Sequence, residues 1–129
     1  IRARTKGFDD VVIMSHEGVI LEALDSAIAI ARNNTIYLPP DNMPLLKRIS
    51  VNTFCSAAKN LGLKIEKIRF YPIDVIRADE AFLIDSVREI LPLVKLDDNS
   101  IGTGKPGELY KSLITSYREL VNEEVKAKR

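Results

Sequence analysis

The 129-residue chain has 19 lysine and arginine residues against 18 aspartate and glutamate residues, a formal charge of +1, and 46% hydrophobic residues. These values are typical of one soluble globular domain and give no electrostatic reason to expect a nucleic acid or an anionic membrane as a partner. One cysteine and one histidine argue against an internal disulfide and a metal site, and the absence of a signal-peptide pattern favours a cytosolic protein.

The first residues indicate a piece of a longer chain. The sequence opens on Ile1, in a stretch typical of the last turn of a helix that ends at Gly7. We therefore expect residues 1–6 to be the remnant of a helix and residues 7–129 to be one domain. The run from Val11 to Ser15 is continuously apolar at its centre, which predicts a strand covered on both sides.

A glutamate within an apolar strand is the most distinctive feature of the sequence. Residues 18–24 predict a strand in which Glu22 lies between Ile20 and Leu24 on one face. A carboxylate in that position needs a partner. Strands at 27–31 and 35–38 follow, so we expect a meander with the acid in its middle. On the residues alone, an edge-strand glutamate paired with a lysine or arginine is the alternative.

The middle of the chain predicts a loop, a helix, a strand and a helical turn. Prolines exclude regular structure between residues 39 and 47, and Ser50 is suited to cap a helix that stops at Gly62. Cys55 lies on the apolar face of that helix, so we interpret it as a core residue rather than a nucleophile. Residues 64–70 alternate as a strand with one wet face, and Pro72 begins a short helical turn.

The last third predicts two strands and a closing helix. The strands are expected at 81–84 and 90–96, with an edge or a bend at Pro92, and the helix from Gly107 onward. Residues 102–107 spell Gly-x-Gly-x-x-Gly. A dinucleotide-binding fingerprint also needs a following strand with an acidic residue, and the chain ends within the helix. We interpret the stretch as a glycine-rich start of that helix.

The order of these pieces resembles the C-terminal domain of the fold-type IV pyridoxal-phosphate enzymes. The resemblance runs from Gly7-Phe8-Asp9-Asp10, where the family has Gly-Tyr-Asp-Glu, through Ala78-Asp79-Glu80 to the Gly-Thr-Gly segment after Ile101. It implies an α/β (α+β) fold, with a mixed, largely antiparallel sheet or pseudo-barrel and packed helices. Residues 7–129 would then be the large domain of an aminotransferase-like protein.

The resemblance also implies a binding site for pyridoxal 5'-phosphate. In the family, the acid that corresponds to Glu22 hydrogen-bonds the pyridine nitrogen of the cofactor. The family turn Leu-Pro-Gly-Ile-Thr-Arg corresponds to residues 46–51. Leu46 is therefore expected against the ring, and Ile49 and Ser50 at the phosphate, where a helix N-terminus suits an anion.

A second loop completes the implied site. Ser86 corresponds to the threonine of the family's Ser-Gly-Thr and would offer a second hydroxyl to the phosphate. Val87 follows it and is the expected substrate-binding residue. Asp85 replaces the glycine of the motif, where a carboxylate repels an anion unless Lys47, Arg48 or Arg88 offsets its charge.

The implied activity belongs to a longer protein. The resemblance indicates a cytosolic transaminase of the branched-chain type, which uses 2-oxoglutarate, acts on amino acids and 2-oxo acids, and assembles as a homodimer. The Schiff-base lysine and a small N-terminal domain are expected upstream of Ile1, so no catalytic residue is assigned in this chain and the chain alone is expected to be inactive.

Three alternatives stay open on the sequence. In the first alternative, the parent protein is a D-amino acid aminotransferase or an aminodeoxychorismate lyase. In the second alternative, the parent protein is a degenerate relative that has lost the cofactor and serves as a binding or assembly domain. This alternative is motivated by four departures from the family pattern: two family glycines are replaced by Arg48 and Asp85, another glycine by Ala23, and an asparagine by Ala27. In the third, the chain is an unrelated α/β domain whose Glu22 pairs with a surface cation.

Overall fold

The structure is a computed structural model that describes residues 12–23, 26–40, 48–85 and 89–127, with the backbone alone at 48–49 and 124–127. The helix end predicted for residues 1–7 lies outside these ranges. Within them, no helix has both the length and the apolar character needed to cross a membrane. The elements follow in the order β1 (Val12–Met14), β2 (Ile20–Ala23), β3 (Ala27–Arg32), β4 (Thr35–Leu38), α1 (Arg48–Asn60), β5 (Lys64–Lys67), α2 (Pro72–Ile76), β6 (Glu80–Asp85), β7 (Glu89–Leu93), β8 (Lys95–Leu96), β9 (Asn99–Ser100) and α3 (Glu108–Ala127).

A five-stranded sheet with the strand order β5-β4-β3-β6-β7 organises the fold. The pairs β3–β4, β3–β6 and β6–β7 are antiparallel, and β4–β5 is parallel. A parallel pair needs a crossover connection, which α1 supplies between β4 and β5. The prediction of a mixed, largely antiparallel sheet with packed helices is confirmed.

The first two strands form a separate sheet. β1 pairs with β2 in antiparallel fashion, with Ile13 opposite Glu22. The predicted meander is therefore divided between two sheets, because β2 and β3 adjoin without forming a ladder. The prediction that β1 is covered on both sides is wrong: Val12 is buried, but Ile13 and Met14 are only half-buried. An apolar run records the tendency to be buried and does not specify the sheet in which a strand lies.

Apolar clusters cover both faces of the five-stranded sheet. On one face α1 and α3 pack on β3 and β6, with the rings of Phe54 and Phe82 5.9 Å apart. On the other face β2 and α2 pack on the same strands. Alternation along β3 sends its alanines to the α1 side and its isoleucines to the opposite side. The small alanine side chains let α1 approach the sheet closely.

The ends of α1 differ in how well the sequence predicts them. Gly62 has a φ of 80°, the Gly62 N–H donates to the Lys59 carbonyl (3.0 Å) and the Leu63 N–H to the Ala58 carbonyl (3.1 Å). This left-handed glycine cap confirms the predicted stop. The helix begins at Arg48, however, so Ser50 lies inside the first turn and not at the cap. A serine is tolerated there, and a cap-forming residue alone does not fix where backbone hydrogen bonding starts.

The segment after β6 matches the prediction at its start and departs from it at its end. Pro92 lies in β7, an outer strand of the described sheet, opposite Phe82, as expected for a strand proline. The predicted strand 90–96 is divided, because β8 turns back to pair with β9, with Lys95 opposite Ser100. Asp97 has a φ of 55° at this turn, a conformation that aspartate tolerates better than most residues.

The Gly-x-Gly-x-x-Gly stretch packs against the start of β6. A Cβ atom at Gly102 would overlap the carbonyl oxygen of Asp79, and one at Gly107 would lie 2.6 Å from Oε2 of Glu80. The two Glu80 carboxylate oxygens accept hydrogen bonds from the backbone N–H groups of Leu109 (3.0 Å) and Tyr110 (2.9 Å). Glu80 therefore caps α3 from a neighbouring strand. These contacts support the interpretation of the stretch as a helix start.

We expect Glu80→Ala to lower the free energy of unfolding by about 1–2 kcal/mol, because two N–H groups in the first turn of α3 lose their acceptor. Urea denaturation measures this change. Glu108→Ala is the matched control, since it removes an exposed acid from the same turn, where the Glu108 side chain is 92% exposed, and should leave stability nearly unchanged. Equal losses in the two variants would contradict the capping role of Glu80.

Candidate functional site

Several strand ends meet at one end of the five-stranded sheet. β3 starts at Ala27, which pairs with Ile84 near the end of β6, and the β6–β7 ladder finishes with Asp85 opposite Glu89. β4 runs antiparallel to β3, so its last residue, Leu38, lies at the same end. We call this region, marked by the start of β3 and the ends of β4 and β6, the Asp85 end of the sheet.

The first turn of α1 also lies at the Asp85 end. β5 is parallel to β4, and its first residue, Lys64, is opposite Thr35. The chain must therefore return from the end of β4 to its start, and α1, with 13 residues and a length of about 20 Å, makes this return. Ser50 is buried in the first turn. That turn contains no acidic residue, so the partial positive charge of its N–H groups is not offset from within the helix.

Glu22 is buried within β2, with 5% of its surface exposed. A carboxylate removed from water in this way is costly unless it is hydrogen-bonded or paired. One residue later, the Ala23 N–H donates to the carbonyl oxygen of Ser26 over 2.8 Å. This bond brings the end of β2, and Glu22 with it, beside the start of β3 at the Asp85 end.

A second buried carboxylate, that of Asp85, lies beside Ser26 on the neighbouring strand. Ser26 precedes Ala27 and Asp85 follows Ile84, so the two residues continue the β3–β6 pairing. The Ser26 hydroxyl donates a hydrogen bond to Oδ2 of Asp85 over 3.4 Å. Ser26 is 2% and Asp85 5% exposed.

Buried polar residues are concentrated at this end of the molecule. Of the six buried polar or charged residues in the described part of the chain, four lie at the Asp85 end, namely Glu22, Ser26, Ser50 and Asp85. Thr35 lies at the opposite end of the sheet, and Ser116 bonds α3 to α1. Because burying polar groups is unfavourable for stability alone, such a concentration indicates a functional site.

The structure describes only some of the predicted site residues. It brings Glu22 and Ser50 to the same end of the sheet. The backbone of Ile49 belongs to the first turn of α1, but its side chain is outside the described residues, as are Leu46, Ser86 and Val87. By chain connectivity, residues 86–88 join Asp85 to Glu89. The roles assigned to all six residues stay predictions.

Two contacts near the site were not predicted from the sequence. One is the Ser26–Asp85 hydrogen bond, and the other joins Glu89 to Arg118 of α3, where Arg118 Nε is 3.1 Å from Oε1 of Glu89. Each connects residues far apart in the chain, so no local pattern records it. The Ser26–Asp85 contact could have been predicted only from the pairing register between the predicted strands 27–31 and 81–84.

A shallow cleft of about 520 Å³ lies elsewhere, between the C-terminal part of α1 and the outer side of α3. Its lining includes Asn60, Leu61, Lys111 and Ser116. No residue predicted for the functional site contributes to it, so the cleft and the Asp85 end are separate features.

Comparisons with known proteins give a consistent family. The family described as amino-transferase class IV matches residues 1–96. The branched-chain-amino-acid aminotransferase of Pseudomonas aeruginosa is 30% identical over 121 residues, which cover 94% of this chain and 39% of that protein. The D-alanine aminotransferase of Bacillus licheniformis is 27% identical over 109 residues, which cover 84% of this chain and 38% of that protein.

A solved structure agrees with these relatives. The branched-chain amino acid aminotransferase of Thermobaculum terrenum, solved in its PLP form, superposes with a TM-score of 0.83 and 29% identity over 89% of this chain and 38% of that one. The chain therefore spans about two fifths of the length of the proteins it resembles.

Proposed function

The chain belongs to the class IV aminotransferase family, and from this premise we propose that it is the C-terminal domain of a cytosolic, pyridoxal-phosphate-dependent transaminase. Its substrates would be branched-chain amino acids and 2-oxoglutarate. An N-terminal domain that carries the Schiff-base lysine would complete the site, residues 1–6 would end a helix that begins before this chain, and the protein would act as a homodimer.

The observation that carries this proposal is the burial of Glu22 at the same end of the sheet as the first turn of α1. The cofactor has a basic ring nitrogen on one side and a phosphate on the other. A buried carboxylate suits the first group, and the N-terminus of a helix suits the second. The chemistry of these donors and acceptors therefore fits pyridoxal 5'-phosphate, which supplies an electron sink for the carbon next to the substrate's amino group.

The residues of this chain would hold and tune the cofactor. Glu22 would keep a proton on the ring nitrogen by accepting a hydrogen bond from it, because a carboxylate stabilises the protonated, cationic ring. Ser50 and the N–H group of Ile49 would bind the phosphate at the start of α1.

The remaining predicted residues would surround the same ligand. Leu46 would pack against the ring, Ser86 would offer a second hydroxyl to the phosphate, and Val87 would face the substrate. No lysine of this chain is given the covalent role, which we assign to the N-terminal part of the parent protein.

Two observations support other candidates. The similarity to a D-alanine aminotransferase favours a D-amino acid transaminase as the second choice of activity. The buried carboxylate of Asp85, at a position where the family has glycine, favours a relative that has lost the cofactor, because a carboxylate beside a phosphate is repulsive unless a cation offsets it.

Cofactor loading of the full-length protein separates these candidates. After addition of pyridoxal 5'-phosphate, we expect a visible absorbance band, and borohydride reduction should fix the cofactor to one lysine upstream of Ile1. L-Leucine with 2-oxoglutarate should then turn over faster than D-alanine. A protein that neither absorbs in the visible nor becomes labelled would be the cofactor-free relative, and preference for D-alanine would favour the second activity.

A further inference from the structure

An apolar patch lies on the surface of the segment that joins β5 to α2. Of the four large hydrophobic residues exposed in the described part of the chain, three lie within six positions, namely Ile68 (43% exposed), Tyr71 (42%) and Ile73 (50%). Six residues span at most about 20 Å, so these three side chains share one small region, which we call the 68–73 patch. The fourth, Leu61, belongs to the cleft between α1 and α3. Single exposed hydrophobic residues are ordinary on soluble proteins, whereas a group of them indicates an interaction surface.

Hydrogen bonds hold the backbone of the 68–73 patch in place. The Ile68 N–H donates to the Leu38 carbonyl over 2.9 Å, and the Asp74 N–H donates to the Tyr71 carbonyl over 2.9 Å. The Asp74 carboxylate in turn accepts a hydrogen bond from the Tyr71 N–H at 2.9 Å. Phe70, within the same segment, is buried and already fills the inward-facing position. A surface that is fixed in this way loses little conformational freedom when a partner covers it.

The 68–73 patch lies beside the proposed cofactor site. Leu38, which bonds the first residue of the patch, is the last residue of β4, so the patch begins at the Asp85 end of the sheet. The Phe70 carbonyl accepts a hydrogen bond from the Ile20 N–H over 2.8 Å. Ile20 is the first residue of β2, two positions before Glu22. The patch therefore adjoins the strand that carries the proposed ring-binding acid.

The size of the 68–73 patch favours a covalently attached partner over a second copy of the chain. Three half-exposed side chains offer much less apolar surface than the about 800 Å² per partner that a stable complex of separate chains buries. A domain of the same polypeptide is held nearby at a roughly millimolar effective concentration, so a smaller contact keeps it docked. The chain spans about two fifths of the length of its relatives, and the N-terminal domain that we propose must reach the cofactor at the Asp85 end.

We propose that the 68–73 patch is the docking surface for the N-terminal domain of the parent protein, which covers it with apolar side chains of its own. This inference rests on the proposed function, which supplies that domain. Covering the patch removes apolar surface from water, and this favours the docked arrangement. Docking there holds the N-terminal domain beside β2, next to Glu22.

Photo-cross-linking of the full-length protein identifies what covers the patch. With p-benzoylphenylalanine in place of Ile73, irradiation should link position 73 to a residue upstream of Ile1 in the same polypeptide, which mass spectrometry of the digested monomer locates. The same amino acid in place of Leu61 is the matched control, because Leu61 is 41% exposed and lies outside the patch. It should give no such link. Links between two copies alone, or no link from position 73 to the upstream region, would overturn the docking role.

A double variant, Ile68→Ser with Ile73→Ser, measures how much the patch contributes to docking. Both side chains are exposed within this domain, so the variant should keep its fold. Hydrogen exchange of the upstream peptide identified by cross-linking should become about tenfold faster or more, because covering two half-exposed isoleucine side chains favours docking by at least that factor. Leu61→Ser should change this rate by less than about twofold. An unchanged rate in the double variant would overturn the docking role.

Cofactor loading of the wild-type protein keeps the two proposals distinguishable. A wild-type protein that binds pyridoxal 5'-phosphate on an upstream lysine but gives no cross-link from position 73 would overturn the docking role alone. A wild-type protein that neither absorbs in the visible nor becomes labelled would overturn the proposed function, and this inference with it.

Discussion

In the full-length protein, Glu22→Gln should lower the rate of transamination about 100-fold or more, the size of effect expected when one partner of a buried, hydrogen-bonded charge pair is removed. The amide has the shape of the carboxylate but no charge, so it does not keep a proton on the ring nitrogen of the cofactor. The ring would then accept electrons less readily. Because the phosphate contacts are unaffected, the variant should still bind the cofactor. Steady-state kinetics and a cofactor titration measure the two quantities separately.

Glu66→Gln is the control for the charge change. Glu66 is exposed in β5, an outer strand of the five-stranded sheet, whereas Glu22 lies in the β1–β2 sheet, so its replacement removes the same charge from the same type of side chain in another part of the fold. Its rate should stay within about twofold of wild type, as for most surface substitutions. A Glu22→Gln protein that binds the cofactor and retains at least a third of the wild-type rate would contradict the role of Glu22.

The second large effect is expected on stability. Gly102→Ala should lower the free energy of unfolding by about 2–4 kcal/mol, because it combines a left-handed backbone with a steric overlap that must displace main-chain atoms. Gly102 has a φ of 58°, and its added Cβ would overlap the carbonyl oxygen of Asp79. The Asp79 N–H is bonded to the Ala31 carbonyl at 2.9 Å, so the Asp79 backbone cannot move without disturbing β3.

Gly62→Ala separates the two causes of the stability loss expected for Gly102→Ala, which are the left-handed backbone and the steric overlap. Gly62 has a similar left-handed φ of 80°, but no atom beyond its own chain neighbours lies within 4 Å of the position of its added Cβ. Its replacement should cost only about 1 kcal/mol, the penalty of the backbone conformation. Urea denaturation of the two variants gives the difference, which measures the overlap with Asp79. Losses of equal size would show that the glycine stretch tolerates a side chain at Gly102.

Local patterns predicted most of the elements of the fold. Apolar runs separated by turn residues predicted β3 and β4, and the stop of α1 at Gly62 followed from the preference of glycine for a left-handed cap. The local patterns did not predict which strands pair with each other when the partners are determined by long-range contacts. The apolar run of β1 did not specify that its described partner is β2 alone, and the sequence after Leu93 gave no sign that β8 folds back on β9.

The candidate site was predictable to the extent that its residues carry a local signal. Glu22 was recognisable because an acid inside an apolar strand is unusual, and its burial agrees with that interpretation. Ser50 was recognisable as part of a helix start, although the helix begins two residues earlier, at Arg48. The Ser26–Asp85 contact was missed because it joins residues 59 positions apart, and only the register of β3 against β6 brings them together.

The central claim is that the carboxylate of Glu22 keeps the ring nitrogen of pyridoxal 5'-phosphate protonated by accepting a hydrogen bond from it. Nitrogen NMR of the full-length protein, loaded with cofactor labelled at the ring nitrogen, reports this proton directly. We predict the chemical shift of a protonated ring in the wild-type protein and that of an unprotonated ring in Glu22→Gln. An unprotonated ring in the wild-type protein, or the same shift in both proteins, would contradict the claim.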